Sequence, residues 1–278
     1  MISRSRAAEL GRETVAILQA GSYQAPSGKV VSIRTDLDLA VQGSCLHRPH
    51  EWIAGPGSPS EPPTPTLIEV TDESTVDAAR RLDSASPGCD PCCLNFASAK
   101  HPGGGFLSGA RAQEECLARS SGLYACIGPV REMYDHNRSV GTCLYSDYMI
   151  YSPRVPVFRD DEGTLLEVPC LASFITAPAV NAGAVKGDDV RRIEQTMRRR
   201  AEKVLLVAHH HGHRALVLGA WGCGVFRNDP AAVAGYFAEL LGPGGAFHNV
   251  FRHVLFAVLD YSERKETLEP FRSRFSGR

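Results

Sequence analysis

Asn95-Phe96-Ala97-Ser98-Ala99-Lys100-His101-Pro102-Gly103-Gly104-Gly105-Phe106-Leu107-Ser108-Gly109-Ala110-Arg111-Ala112-Gln113-Glu114-Glu115 is the stretch on which the reading of this chain turns. Just before it, Cys92 to Ala97 is short and apolar, which predicts a buried strand. Just after it, Glu114 to Leu123 predicts the opening of a helix that stops near Gly122. Between the two, Pro102 is followed by Gly103, Gly104 and Gly105. Glycine leaves backbone N–H groups unshielded and tolerates positive φ, so a phosphate or ribose can approach the main chain closely. Taken alone, such a triplet reads as a flexible loop. Seven residues later, however, Gln113-Glu114-Glu115 supplies acceptors and a proton donor beside the same loop. A mere linker has no use for that combination. Glu114 and Glu115 are adjacent, so they cannot share one face of a helix or strand, and two different roles are expected of them. Favourable placement at a helix N-terminus suits either glutamate, but it leaves the glycines unexplained.

Composition narrows the setting. A chain of 278 residues accommodates one α/β domain with extensions. Its 43% apolar and 22% charged content is that of a soluble globular protein. The net charge of −1 provides no global field for nucleic acid, so sequence-specific nucleic-acid binding is not expected and a polyanion must be caught locally. Met1 to Arg6 leads into no apolar core of signal-peptide length. The longest apolar runs, Val204 to Ala208 and Val254 to Leu259, are too short to span a bilayer, so no membrane partner is expected. Nine cysteines, an odd number with several in strand-like segments, read as reduced thiols in a cytoplasmic protein.

Along the chain, Ser5 to Ala20 predicts a helix ending at Gly21, and Pro26-Ser27-Gly28 a turn between two short strands. His47 to Pro65, rich in Pro, Gly and Ser, predicts a surface loop. Leu67 to Val70 predicts a strand and Thr71 to Ser74 a helix start feeding Val76 to Leu82, with a loop over Asp83 to Pro91. Tyr124 to Tyr151 shows no clear period. Pro156 to Val168 predicts a hairpin turning at Asp160 to Gly163, and Cys170 to Thr176 a further strand. Asp188 to His209 predicts a long helix capped by Asp188 or Asp189. Ala215 to Trp221 predicts a strand, Pro230 to Leu241 a helix with proline first, and Phe251 to Leu259 the strand that closes the sheet, before a charged tail. Strands alternating with helices argue for a mixed α/β sandwich.

The other glycine-bearing turn, Gly219-Ala220-Trp221-Gly222-Cys223-Gly224-Val225-Phe226, follows a strand and precedes a helix. Its amides suit a pyrophosphate, and an ordinary tight turn explains the glycines equally well. Cys89-Asp90-Pro91-Cys92-Cys93 has a zinc-like spacing, yet no second pair stands elsewhere, so buried thiols are expected. His209 to His213 reads as a solvated C-terminal cap rather than a metal site, and Arg198-Arg199-Arg200 as a wet helix face. No metal and no cofactor are expected.

The spacing of Gly103-Gly104-Gly105, seven residues, then Gln113-Glu114-Glu115 resembles the signature of poly(ADP-ribose) glycohydrolases, in particular the compact bacterial branch built on a macrodomain. Weaker similarity runs over most of the chain. The resemblance implies a single macrodomain-type catalytic domain over residues 1–278, a mixed sheet sandwiched between helices, with an N-terminal helical extension over about residues 1–65. It implies Glu115 as general acid and base, Glu114 on ribose hydroxyls and Gln113 fixing the geometry beside them. Gly104, Gly105, Phe106 and Leu107 would belong to one diphosphate loop, with Gly103 also substrate-binding, and Gly222, Cys223, Gly224, Val225 and Phe226 to the second. Phe226 would lie near the distal ribose, with a core aromatic as its plain alternative. Many macrodomains carry an Asn before the glycine loop; here that segment reads Ala97-Ser98-Ala99-Lys100, and Ser98 is taken as a ribose contact. Thr71 to Glu73, at a strand end, is expected at the adenine pocket. The implied activity is hydrolysis of ribose–ribose bonds in poly(ADP-ribose) or on ADP-ribosylated proteins, from the chain end, with ADP-ribose as product. A non-catalytic ADP-ribose reader and a mono-ADP-ribosyl-protein hydrolase are the alternatives; the paired glutamates speak against a pure reader.

Overall fold

Ser3 accepts a hydrogen bond from the Arg6 amide and starts helix α1 (Arg4–Ala20), which ends where Gly21 turns left-handed at φ 67°. The computed structural model describes residues 2–57, 64–86 and 88–276, so Pro87 and residues 58–63 of the Pro- and Gly-rich loop lie outside the described residues. The hairpin expected around Gly28 follows as β1 (Ser22–Gln24) against β2 (Val30–Ser32), and helix α2 (Arg34–Gly43) leads into β3 (Cys45–His47). Next come β4 (Leu67–Thr71) and α3 (Thr75–Ala85), whose cap Ser74 accepts from the Asp77 amide. Strand β5 (Cys92–Phe96) runs into the glycine loop, a single 3-10 turn (Phe106–Ser108) and α4 (Gln113–Ser120). After α5 (Leu123–Ile127) and α6 (Arg131–Ser139), two long strands form a hairpin, β6 (Met149–Arg159) and β7 (Leu165–Ala177). Helix α7 (Ile193–His210), β8 (Ala215–Leu218), α8 (Pro230–Leu241), β9 (His253–Ala257) and α9 (Leu268–Phe275) complete the described order. Proline opens α8 as expected, with Asp229 accepting from the Ala231 amide.

Seven strands form one sheet in the order β3-β6-β7-β5-β8-β9-β4. The pairs β3/β6 and β6/β7 are antiparallel, and all the others are parallel. The period of two in each central strand feeds two cores. Cys92 and Leu94 of β5, Leu216 and Leu218 of β8, and Val254 and Phe256 of β9 meet Met197, Val204, Phe237 and Phe271 from α7, α8 and α9. Cys93, Val217 and Leu255 point the other way, to Val76, Leu117, Leu123 and Met133 from α3 to α6. A third cluster joins Ile17 and Leu18 of α1 to Tyr23, Ile33 and Phe158. The result is the mixed sheet between helical layers, macrodomain-like in arrangement.

Several expectations need correction. Beyond its helix and the expected hairpin, the N-terminal segment contributes an unexpected strand, β3, whose residues pair with Met149 to Tyr151 in the main sheet. His47 thus leaves the predicted loop and becomes a strand end. The region from Tyr124 to Tyr151 is not irregular but holds α5 and α6, which bury Cys126, Met133 and Tyr134. The long helix opens as a 3-10 turn over Gly187–Arg192, and neither Asp188 nor Asp189 caps it; Asp189 accepts from Thr142 and Arg192 instead. The sheet closes on β4, not on the last strand. The charged tail includes α9, whose Phe271 and Phe275 pack on Phe256. Nor is the arginine run uniformly wet. Arg200 is 0% exposed, paired with Asp147 and donating to the Pro178 and Leu144 carbonyls, which satisfies a guanidinium that burial would otherwise penalise.

Candidate active site

The glycine loop and the Gly219–Phe226 turn leave the C-terminal ends of β5 and β8, which are parallel neighbours. That end of a parallel sheet is where α/β folds gather ligand-binding loops. In the first loop Gly103 and Gly104 take φ of 71° and 57°, values a side chain rarely adopts. Space is the stronger reason for glycine at position 104. A Cβ there would lie 2.2 Å from Glu115 Oε1 and 3.1 Å from Glu114 Oε2. The two adjacent carboxylates therefore converge on one point of the loop, although their side chains leave the helix on different faces.

Their partners differ. Glu114 is 3% exposed; its Oε2 accepts from the Ser98 amide at 2.6 Å, and Asn95 Nδ2 stands 3.5 Å from its Oε1. Burial raises its carboxyl to about 8, against the lowering effect of the Ser98 amide, with the Glu115 charge adding to the rise. At neutral pH Glu114 is held largely uncharged. Glu115 is half-buried, and its Oε1 accepts from the Gly105 amide at 2.9 Å. Its Oε2 is enclosed and has no protein hydrogen-bond partner. Gln113 is a brace: its Oε1 accepts from the Phe96 amide at 2.8 Å, and its Nε2 donates to the Leu94 carbonyl and to Thr75 Oγ1. The first turn of α4 is thereby pinned to the end of β5.

Other predicted residues occupy different positions. Ser98 Oγ accepts from the Lys100 and His101 amides and so shapes the turn into the loop. Phe106 is 1% exposed, with its ring 4.8 Å from that of Tyr124 and its carbonyl against Gly11 of α1. Its ring is a packing group that anchors the loop from beneath. Leu107 is exposed. In the second loop Val225 is 80% exposed at the tip, while Phe226 is half-buried, 6.0 Å from the Tyr145 ring. The loop is tied at its base. Buried Trp221 donates to the Ala177 carbonyl, Asn228 to the Val180 and Gly222 carbonyls, and Gly183 to the Phe226 carbonyl. Gly219 permits the turn, since a Cβ there would lie 2.5 Å from the Ala257 carbonyl oxygen.

A cavity of about 640 Å³ opens along this end of the sheet, lined among others by Thr75, Phe96, Gln113, Cys223, Gly224 and Tyr261. Of the predicted residues it takes in Gln113, Cys223 and Gly224; Gly103 to Gly105, Glu114 and Glu115 do not line it. Glu73 borders it, whereas Asp72 is engaged with Lys265 and the Asp260 amide. Sequence reasoning missed Asn95, Phe96 and Tyr134. Asn95 is fully buried in an apolar strand, and it bridges Glu114 to Thr176 Oγ1. An amide interrupting Cys92-Cys93-Leu94 was the available signal. The Tyr134 hydroxyl is buried without a partner, and burial followed by the Glu114 charge pushes its pKa well above the usual value; nothing local in sequence pointed to it.

Comparison with known proteins bears directly on this arrangement. A family model described as the microbial-type PARG catalytic domain matches residues 11–160, which is 150 of the 278 residues. The crystal structure of poly(ADP-ribose) glycohydrolase (PARG) from Thermomonospora curvata is 52% identical, with a TM-score of 0.92 over 98% of this chain and 100% of that one. The same protein bound to the inhibitor ADP-HPD is 50% identical, with a TM-score of 0.89 over the same shares. PARG from Deinococcus radiodurans in complex with ADP-ribose is 43% identical, with a TM-score of 0.75 over 86% of this chain and 96% of that one. No curated protein sequence gives a significant match. The chain is a glycosidase belonging to the family of microbial-type poly(ADP-ribose) glycohydrolase catalytic domains.

Proposed function

We propose that Glu115 is the general acid and base with which this glycohydrolase cleaves ribose–ribose bonds of poly(ADP-ribose), from the chain end, releasing ADP-ribose. One observation carries the assignment: Glu115 Oε2 is enclosed and unpartnered while Oε1 is fixed by the Gly105 amide. A carboxylate held by one oxygen keeps the other in a fixed direction with no protein donor competing for it. Glu115 delivers a proton to the leaving ribose oxygen as the anomeric carbon gains oxocarbenium character, and then withdraws one from the attacking water. Glu114, kept neutral by burial, bonds ribose hydroxyls beside it. The amides of the glycine loop and of Gly222 to Phe226 hold the diphosphate, whose negative charge steadies the developing cation. The binding of ADP-ribose and of ADP-HPD by the related proteins supports this ligand class.

For chain-end attack, the tethered second loop supplies the wall: with Phe226 and Val225 beyond the distal ribose, the polymer has no path onward. We also infer a reducing, cytoplasmic setting, supported by nine thiols that remain unbridged. No helix among the described residues is long and apolar enough to cross a membrane. The test is incubation with purified polymer and, separately, with mono-ADP-ribosylated protein. Polymer loss with ADP-ribose release is expected. Binding of ADP-ribose without turnover would reassign the protein as a reader, and release from the mono-modified protein alone would make it a mono-ADP-ribosyl hydrolase.

A further inference from the structure

The histidine run at the end of α7 is only in part the solvated cap expected: His210 is exposed, but His213 is buried. The His211 ring stacks on Tyr151 at 3.6 Å between centroids, and His213 Nε2 meets the Tyr151 hydroxyl at 2.8 Å. That stacking carries His211 to the edge strand β3, where Cys45 pairs with Tyr151 across the sheet. The His211 and His47 Nε2 atoms are 3.0 Å apart, and Cys45 Sγ lies 3.8 Å from His47 Nε2 and 3.9 Å from His211 Nε2. His47 is buried; Cys45 and His211 are half-buried.

We propose that Cys45, His47 and His211 bind a zinc ion with solvent in the fourth position. Zinc–nitrogen bonds of about 2.0–2.1 Å and a zinc–sulfur bond of about 2.3 Å in a tetrahedron place the ligand atoms about 3.3–3.6 Å apart, close to the separations present before any ion draws them in. A hydrogen bond between the two imidazoles accounts for the shortest distance only. It leaves unexplained a sulfur almost equidistant from both nitrogens. The surroundings also select the ligating tautomer. His47 Nδ1 is buried without a hydrogen-bond partner, and Glu51 Oε2 stands 3.6 Å from it. A carboxylate near Nδ1 favours the tautomer with the proton there, which leaves the Nε2 lone pair for the metal, as the outer carboxylates behind metal-bound histidines do. Zinc binding displaces the Cys45 thiol proton to solvent and forms the zinc–thiolate bond. The site lies on the edge strand, three positions from β5 in the sheet, so it staples the end of α7 to the N-terminal segment and stands apart from Glu115.

The full-length protein, stripped with a chelator under reducing conditions, is titrated with Co²⁺ and then Zn²⁺. One Co²⁺ per chain is expected, with the visible bands of tetrahedral cobalt and a thiolate-to-cobalt band in the near ultraviolet, both abolished by Zn²⁺. Cys45→Ser should lose the thiolate band while retaining polymer hydrolysis. Glu51→Gln, at an exposed carboxylate that does not threaten folding, should weaken Co²⁺ binding by about 10–100-fold. Absence of stoichiometric binding would overturn the site, as would a thiolate band unchanged in Cys45→Ser, which would assign the ion to other cysteines.

Discussion

Glu114 is neutral near pH 7 because the interior that surrounds it offers one strong donor and little solvent. A carboxyl whose folded pKa lies above its unfolded value stabilises the fold while protonated. The contribution is complete below about pH 4.5, declines as pH rises towards about 8, and is flat beyond. Glu114→Gln has no such proton to lose. The melting temperature of wild type relative to Glu114→Gln should therefore fall between pH 5 and pH 8, and a difference that stays level across that range would contradict the neutral state. Phe106, beneath the loop, supplies a second prediction. Phe106→Ala empties a packed site between α1 and Tyr124, so chemical denaturation should show a loss of roughly 3–5 kcal/mol. A loss below about 1 kcal/mol would contradict the packing role.

At the scale of elements, the glycine loop works because its middle residue has no side chain. Gly104→Ala drives a methyl into the Glu115 carboxylate and strains a left-handed backbone. With Glu115 as the proposed acid and base, turnover should drop by at least about 100-fold, the cost of displacing such a group by about 1 Å, while circular dichroism stays native; near-normal turnover would show that the loop is mobile enough to yield. That loop and the start of α4 were legible in sequence because glycine, proline and carboxylate chemistry act locally. The strands of the parallel core were legible for the same reason, through their apolar runs. What stayed hidden depended on distant partners. Cys45 to His47 is too short to show a period, and only its pairing with Met149 to Tyr151 makes it a strand. Arg200 reads as a solvated cation until Asp147, Leu144 and Pro178 surround it. Glu114 and Glu115 diverge by helical geometry, and only the folding back of Gly104 brings both to one place. In α9, charged residues mask Leu268, Phe271 and Phe275; Phe271→Ala should destabilise by about 3–5 kcal/mol, checked by denaturant unfolding.

For the whole molecule, two loops from neighbouring parallel strands form one face, and the N-terminal segment braces it through the contact of α1 with Phe106. If the second loop ends the polymer path, a digestion time course should release ADP-ribose from the outset with no transient pool of free oligomers. Long fragments appearing first would place the path beyond Phe226. The most direct measurement compares wild type with Glu115→Gln for polymer turnover and for ADP-ribose affinity by calorimetry. The amide keeps shape and the Gly105 contact but cannot shuttle a proton, so turnover should fall by about 10²–10⁴-fold while affinity stays within a few-fold. Wild-type turnover in Glu115→Gln would contradict the assignment and require another acid.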